Sequence, residues 1–301
     1  MVYSQSHRNW CYAFSKVFVS ARYRYLGIIK DYKVLITSSH PEYHSTKCWD
    51  TIYNYQLSGG NLIYLGGNGW YWRIVWHNKF PGIIEVRRAE DGVRSWEAEP
   101  GEYYHSFNGE YGGLWRRLGR APNKLLGIGF SGQGFDVSSY YRRTKQSYLK
   151  EVDFIFKDIK EDILGDFGLV GGGAAGLELD RYDQSLGSPK NCYVLATSEN
   201  HSDLYLGVTE EIGVNMPNQS GSQNPNVKAD LVYFKKNSGS KKFNTSQAYE
   251  YKPPNLPSIF SFLPTKLKSL QGNPKRRPFI FPKSFFTFSS LFGFEKSSIF
   301  S

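Results

Sequence analysis

The chain is 301 residues long, enough for one large domain or two small ones, and 17% of it is aromatic, so material for a core is ample. Its net charge of +10 lies wholly in residues 231–301, where twelve Lys and Arg face only Glu250 and Glu295; the rest is charge-balanced, so the overall basicity is no ground for reading the body as a nucleic-acid binder. Three cysteines without CxxC spacing (Cys11, Cys48, Cys192) argue against a disulfide framework and for a reducing, cytoplasmic setting, and no run of about 18 apolar residues offers a transmembrane helix.

Residues 1–25 read as an irregular basic segment. The apolar patch from Trp10 to Phe14 is interrupted at Lys16 and does not read as a signal peptide. Order sharpens at Tyr32-Lys33-Val34-Leu35-Ile36, a buried strand. Pro41 ends it and biases His40 away from helix. A helix is expected to start at Ser45 or Thr46, both good N-caps, and to carry an apolar stripe of Trp49, Ile52, Tyr53 and Leu57. Gly59-Gly60 ends it, and Asn61–Leu65 is a second buried strand. Strand, helix, strand with short links implies a parallel pair. Ligands bind at the carboxyl edge of such sheets. There the chain puts His40 and Glu42, side chains able to bind metal or move protons, and the loop Gly66-Gly67-Asn68-Gly69. Solvated turn residues would satisfy the same local pattern.

A β-rich insertion follows, with strands at 70–76 and 82–88 and a hairpin signal at Ala89-Glu90-Asp91-Gly92. Tyr103–Trp115 reads as an aromatic covering loop, with a short helix at Leu114–Leu118. Further strands are expected at 124–128, 152–156, 192–196 and 230–234. Gly129–Gly134 lacks the spacing of a GxSxG elbow. Gly168–Gly176 formally matches GxGxxG. It lies late in the chain, however, and runs into acidic, soon-broken sequence, so it reads better as a Gly-rich turn presenting Glu178 to a pocket than as a dinucleotide loop. Residues 239–301, rich in Pro, Lys and Phe without helix or strand period, are expected to form an irregular basic tail, disordered alone.

Several of these motifs, in this order, resemble the C-terminal domain of the N,N-dimethylformamidase large (beta) subunit. They are Tyr32–Thr37 into Ser39-His40-Pro41-Glu42-Tyr43, Leu65–Gly69 with Tyr71-Trp72-Arg73, Glu85–Gly92, Glu99–His105, and Gly171–Arg181. The resemblance covers residues 26–238. It implies an α/β fold, a class I glutamine-amidotransferase-like (flavodoxin-like) three-layer sandwich carrying the β-rich insertion. It implies an amide hydrolase that splits small N-substituted amides into amine and carboxylate. It also implies Fe(III), held by two tyrosine phenolates and a carboxylate that would here be Glu42, with His40 as the adjacent base and Asn68 and Glu178 in the same pocket. Hard anionic oxygens suit Fe(III), and a histidine can relay protons near neutral pH.

The partners implied are a small amide substrate, upstream domains of the large subunit and a small (alpha) subunit; neither a membrane nor nucleic acid is expected as a partner. The family's iron-binding tyrosines lie upstream of the His-Pro-Glu loop and have no counterpart in the 39 residues before His40. The chain alone is therefore expected to be inactive. The alternative is a non-catalytic domain that keeps the fold and serves subunit interaction.

Overall fold

The computed structural model describes residues 29–38, 40–80, 82–89, 102–168, 171–208, 210 and 217–236, together with strands 241–245 and 277–280. The expected hairpin turn at 90–92 and the segment 1–25 lie outside the described residues.

The opening unit forms as its sequence requires. Strand β1 (Tyr32–Ser38) leads through the short β2 (Tyr43–His44) to helix α1 (Thr46–Leu57) and strand β3 (Asn61–Leu65). Ser45 caps α1, its hydroxyl accepting from the Cys48 amide. β1 and β3 run parallel, with Val34 opposite Asn61 and Ser38 opposite Leu65.

The remaining strands are β4 (Trp72–Trp76), β5 (Ile84–Val86), β6 (Gly129–Gln133), β7 (Tyr141–Arg143), β8 (Ile163–Leu164), β9 (Glu178–Arg181), β10 (Tyr193–Ser198), β11 (Leu206–Gly207), β12 (Asp230–Lys235), β13 (Lys241–Thr245) and β14 (Arg277–Ile280). They build an eight-stranded sheet in the order β14-β1-β3-β13-β12-β10-β7-β8 and two three-stranded sheets, β11-β6-β9 and β2-β4-β5. In the large sheet β14, β1, β3 and β13 are parallel neighbours, whereas β12, β10, β7 and β8 join antiparallel.

This overturns the flavodoxin-like three-layer α/β sandwich. That fold needs helical crossovers covering both sheet faces. Among the described residues only α1 is long, and the other α-helix, α2 (Pro122–Leu126), has five residues. The segments expected as strands at 124–128 and 152–156 are instead α2 and a short 3-10 turn at Asp153–Ile155. The expected helix at 114–118 is a run of turns, with Leu118 N–H donating to the Leu114 and Trp115 carbonyls. The protein is mainly β.

Both faces of the large sheet are nevertheless covered, which is why its strands read as continuous apolar runs. Side chains alternate along each strand. Leu35, Leu62, Tyr64, Val232 and Phe234 pack with Trp49 and Ile52 of α1 and with Trp115 and Leu125. Val34, Ile36, Ile63, Leu65, Leu231 and Tyr233 face a layer without an α-helix, built from Val152, Ile155, Phe156, Ile159, Ala174, Ala175 and Leu179.

Two segments of the expected tail are strands of this sheet. β13 lies between β3 and β12, and β14 forms the edge beside β1, a place that tolerates Pro278. The other tail residues lie outside the described residues.

Candidate functional site

His40 stands just past the end of β1, and Asn68 stands three residues past β3, on the same carboxyl edge of the parallel pair. Glu178 arrives from elsewhere, as the first residue of β9 in the β11-β6-β9 sheet. The three meet. Glu178 Oε2 pairs with His40 Nδ1, and Asn68 Nδ2 donates to Glu178 Oε1 at 3.2 Å. All three are buried, at 5%, 3% and 8% exposure for His40, Asn68 and Glu178.

The 40–44 loop is fixed mainly through its backbone. Trp70 N–H donates to the Pro41 carbonyl at 2.8 Å, and the Tyr71 and Trp72 amides donate to the Glu42 carbonyl at 2.9 and 3.0 Å. His44 Nε2 donates to the same Pro41 carbonyl at 2.7 Å, and its ring stacks on Trp70 with centroids 4.3 Å apart. Burial pulls its pKa down to about 3 and so keeps the ring neutral, against the opposing pull of the Pro41 carbonyl. His44 therefore holds the loop together and takes no part in proton traffic.

The 66–69 loop approaches β9 closely. A Cβ on Gly67 would lie 2.7 Å from the Glu178 carbonyl oxygen, so only glycine fits. Asn68 is left-handed, at φ 56°. Its backbone N–H donates to Asp180 Oδ1, and Tyr64 O–H donates to Asp180 Oδ2, both at 2.8 Å. The Gly-rich turn at 171–176 packs flat against the 138–139 backbone, where a Cβ on Gly173 would sit 2.2 Å from the Ser139 carbonyl. Its glycines serve that contact and lead the chain into Glu178.

The electrostatics follow from three carboxyls set around one imidazole. Burial works against a charged His40, but the bond to Glu178 and the charges of Glu178, Asp180 and Glu42 outweigh it and raise the pKa. Burial, reinforced by the Glu178 charge, pushes Glu42 up to about 7 against the opposing pull of Arg88, Tyr43 and His40. Burial likewise raises Asp180 to about 7. The arrangement can take up, hold and pass a proton in a volume shielded from water.

The structure thus gathers His40, Asn68 and Glu178, with Glu42 at the rim of the cluster. Asp180 and Tyr64 were not singled out from sequence. A signal for Asp180 existed: Glu178 and Asp180 are two apart on a strand, which turns both carboxyls to one face. Tyr64, inside an apolar strand, carries no such mark.

A metal is a harder fit. Glu42 is a half-buried carboxyl that a cation would stabilise. Among the described residues, however, no three His, Cys, Asp or Glu side chains gather as a metal-binding group.

Residues 20–249 match the family described as "N,N-dimethylformamidase beta subunit-like, C-terminal". Among curated proteins the chain is 43% identical over 220 residues to an N,N-dimethylformamidase beta subunit of Alcaligenes sp, and 43% identical over 222 residues to that of Paracoccus aminophilus. Each alignment takes in 73% of this chain and 29% of the relative, so the chain spans less than a third of the length of these relatives.

Proposed function

Because the chain belongs to the family formed by the C-terminal regions of N,N-dimethylformamidase beta subunits, we propose that it is the proton-handling domain of an amide hydrolase. Water adds to the carbonyl of a small N-substituted amide, and the C–N bond breaks to give a carboxylate and an amine. The observation that carries this reading is the buried His40–Glu178–Asn68 cluster. Glu178 fixes the proton on Nδ1 of His40, so Nε2 offers the lone pair that takes a proton from the attacking water. The same nitrogen then returns a proton to the leaving amine. Asn68 holds Glu178 in place with its amide NH2. Its Oδ1, buried and without a hydrogen-bond partner among the described residues, is an acceptor suited to a water proton.

Iron enters this reading only through Glu42. Fe(III) bound there would need further oxygen ligands beside this carboxylate. The upstream domains of a beta subunit and an alpha subunit are the partners this reading implies. A cytoplasmic site accords with two buried thiols outside any disulfide, Cys48 and Cys192. No helix among the described residues is long and apolar enough to cross a membrane. A second reading, a domain that keeps the fold and serves subunit assembly, is favoured by the relatives' being named as subunits of a larger enzyme.

The two readings part in a chimaera in which this chain replaces the matched region of the Paracoccus aminophilus beta subunit, assembled with its partner and assayed for dimethylamine release from N,N-dimethylformamide. Activity that His40→Ala lowers by about 100-fold or more supports catalysis. An assembled but inactive chimaera, or one indifferent to His40→Ala, leaves only the assembly reading.

A further inference from the structure

We propose that Asp180 is a positioning residue of this site, holding the 66–69 loop in the arrangement in which Asn68 braces Glu178 against His40. The inference rests on the reading that His40 and Glu178 do the proton chemistry.

Asp180 is wholly buried on β9, two residues from Glu178 and on the same strand face. Its two oxygens are spent on the loop and its root. Oδ1 accepts the Asn68 backbone N–H, and Oδ2 accepts the hydroxyl proton of Tyr64, which in turn accepts Gly69 N–H at 2.8 Å. Both amides at the tip of the loop are therefore tied, directly or through one phenol, to one carboxyl. Asn68 sits there at φ 56°, a conformation that an amide side chain tolerates but that something must hold. With its backbone so held, its Nδ2 reaches Glu178 Oε1.

The choice of a carboxylate is informative. Burying one is costly, and an apolar side chain would serve packing alone better. What two converging donors need is a group with acceptors at both ends, which a carboxylate is and an amide is not. An asparagine at 180 keeps the shape but turns an NH2 on either the Asn68 amide or the Tyr64 hydroxyl. A carboxylate suits this position because polarity, not volume, fixes the Asn68 and Tyr64 donors that converge on it.

The test uses the full 301-residue chain and then the chimaera. In isotope-labelled chain, the proton on His40 Nδ1 should give a downfield resonance that Glu178→Gln alters. Asp180→Asn should lose that resonance and speed hydrogen exchange at the Asn68 and Gly69 amides by about 10-fold or more, with core amides such as Ile63 unchanged. Tyr64→Phe, which removes one arm of the support, should shift both readouts in the same direction, and it decides the question if Asp180→Asn does not fold. In the chimaera, Asp180→Asn should lower kcat about 100-fold while KM changes less than about 3-fold.

An unchanged His40 resonance in a folded Asp180→Asn chain overturns the proposal. So does an unchanged kcat in an active chimaera. Loss of the resonance in a chain whose chimaera is inactive leaves the positioning role standing and removes the amide-hydrolase reading instead.

Discussion

His201 offers a test of how burial sets charge in this protein. Its ring is 3% exposed, and Nε2 is hydrogen-bonded to Ser198 Oγ at 2.6 Å. That oxygen also accepts the Ala229 N–H at 2.7 Å, and its one hydroxyl proton can be given to a neutral imidazole. Burial lowers the His201 pKa to about 4, against a smaller opposing pull from the Asp136 charge. In the unfolded chain a histidine titrates near ~6.5. The folded form thus refuses a proton that the unfolded form accepts. The stability this contributes is fully present above ~6.5 and is lost as pH falls toward about 4. Between pH 7 and pH 5 the loss integrates to about 2 kcal/mol. His201→Gln removes the titration. It should cost about 1–3 kcal/mol at pH 8, where a buried hydrogen bond is lost. Between pH 7 and 5, however, the variant should lose about 2 kcal/mol less than the parent. His44 is present in both proteins and cancels in the comparison. Urea unfolding followed by tryptophan fluorescence at pH 8, 7, 6 and 5 gives the two curves. Parallel curves would show that His201 carries the same charge folded and unfolded, and that the burial argument fails.

Two further predictions concern the candidate site. Gly67→Ala drives a methyl into the Glu178 carbonyl and should destabilise the chain by about 1–3 kcal/mol while weakening the His40–Glu178 pair, read from the melting temperature and the His40 imidazole resonance; a variant as stable as the parent would mean the loop has room it does not show. The purified chain should hold far less than one equivalent of Fe(III) and lack a visible phenolate-to-iron band, because one carboxylate is a weak site for a trivalent ion; stoichiometric iron with that band would mean that tyrosines within the chain are ligands.

The part of the fold legible in the sequence is the part whose signals are local. β1, α1 and β3 could be read from an apolar run, a Ser45 cap, a helical stripe and a glycine stop, and their parallel pairing followed from the short links. What covers the other sheet face could not. Val34, Ile36 and Ile63 announce that something apolar lies against them, and a helix or a layer of turns satisfies that equally. The turns at 152–159 have apolar content that imitates a strand, and nothing in their composition marks the difference. β13 was unreadable for another reason: its place between β3 and β12 is set by partners far away in sequence, and β-propensity is weak without them.

The site was legible in its members and opaque in its joinery. Glycine and asparagine after a strand, a histidine and a carboxylate around a proline, and a glutamate after a glycine run each suggested chemistry separately. Their meeting depends on β9 lying in a different sheet from β1 and β3, so the bonds that join them span about a hundred residues: Asn68 to Glu178, Asn68 to Asp180, Tyr64 to Asp180. That separation has a physical consequence. None of these contacts can form before the β11-β6-β9 sheet docks, because loop closure must precede any return from the contact. The large sheet supplies a histidine and an asparagine, and the small sheet supplies both carboxyls that orient them. A rearrangement between the two sheets would therefore open the His40–Glu178 pair together with the packing of Leu179 on the large sheet. The buried Asp180 carboxyl, accepting from the loop on one sheet while anchored in the other, is placed where it opposes that opening.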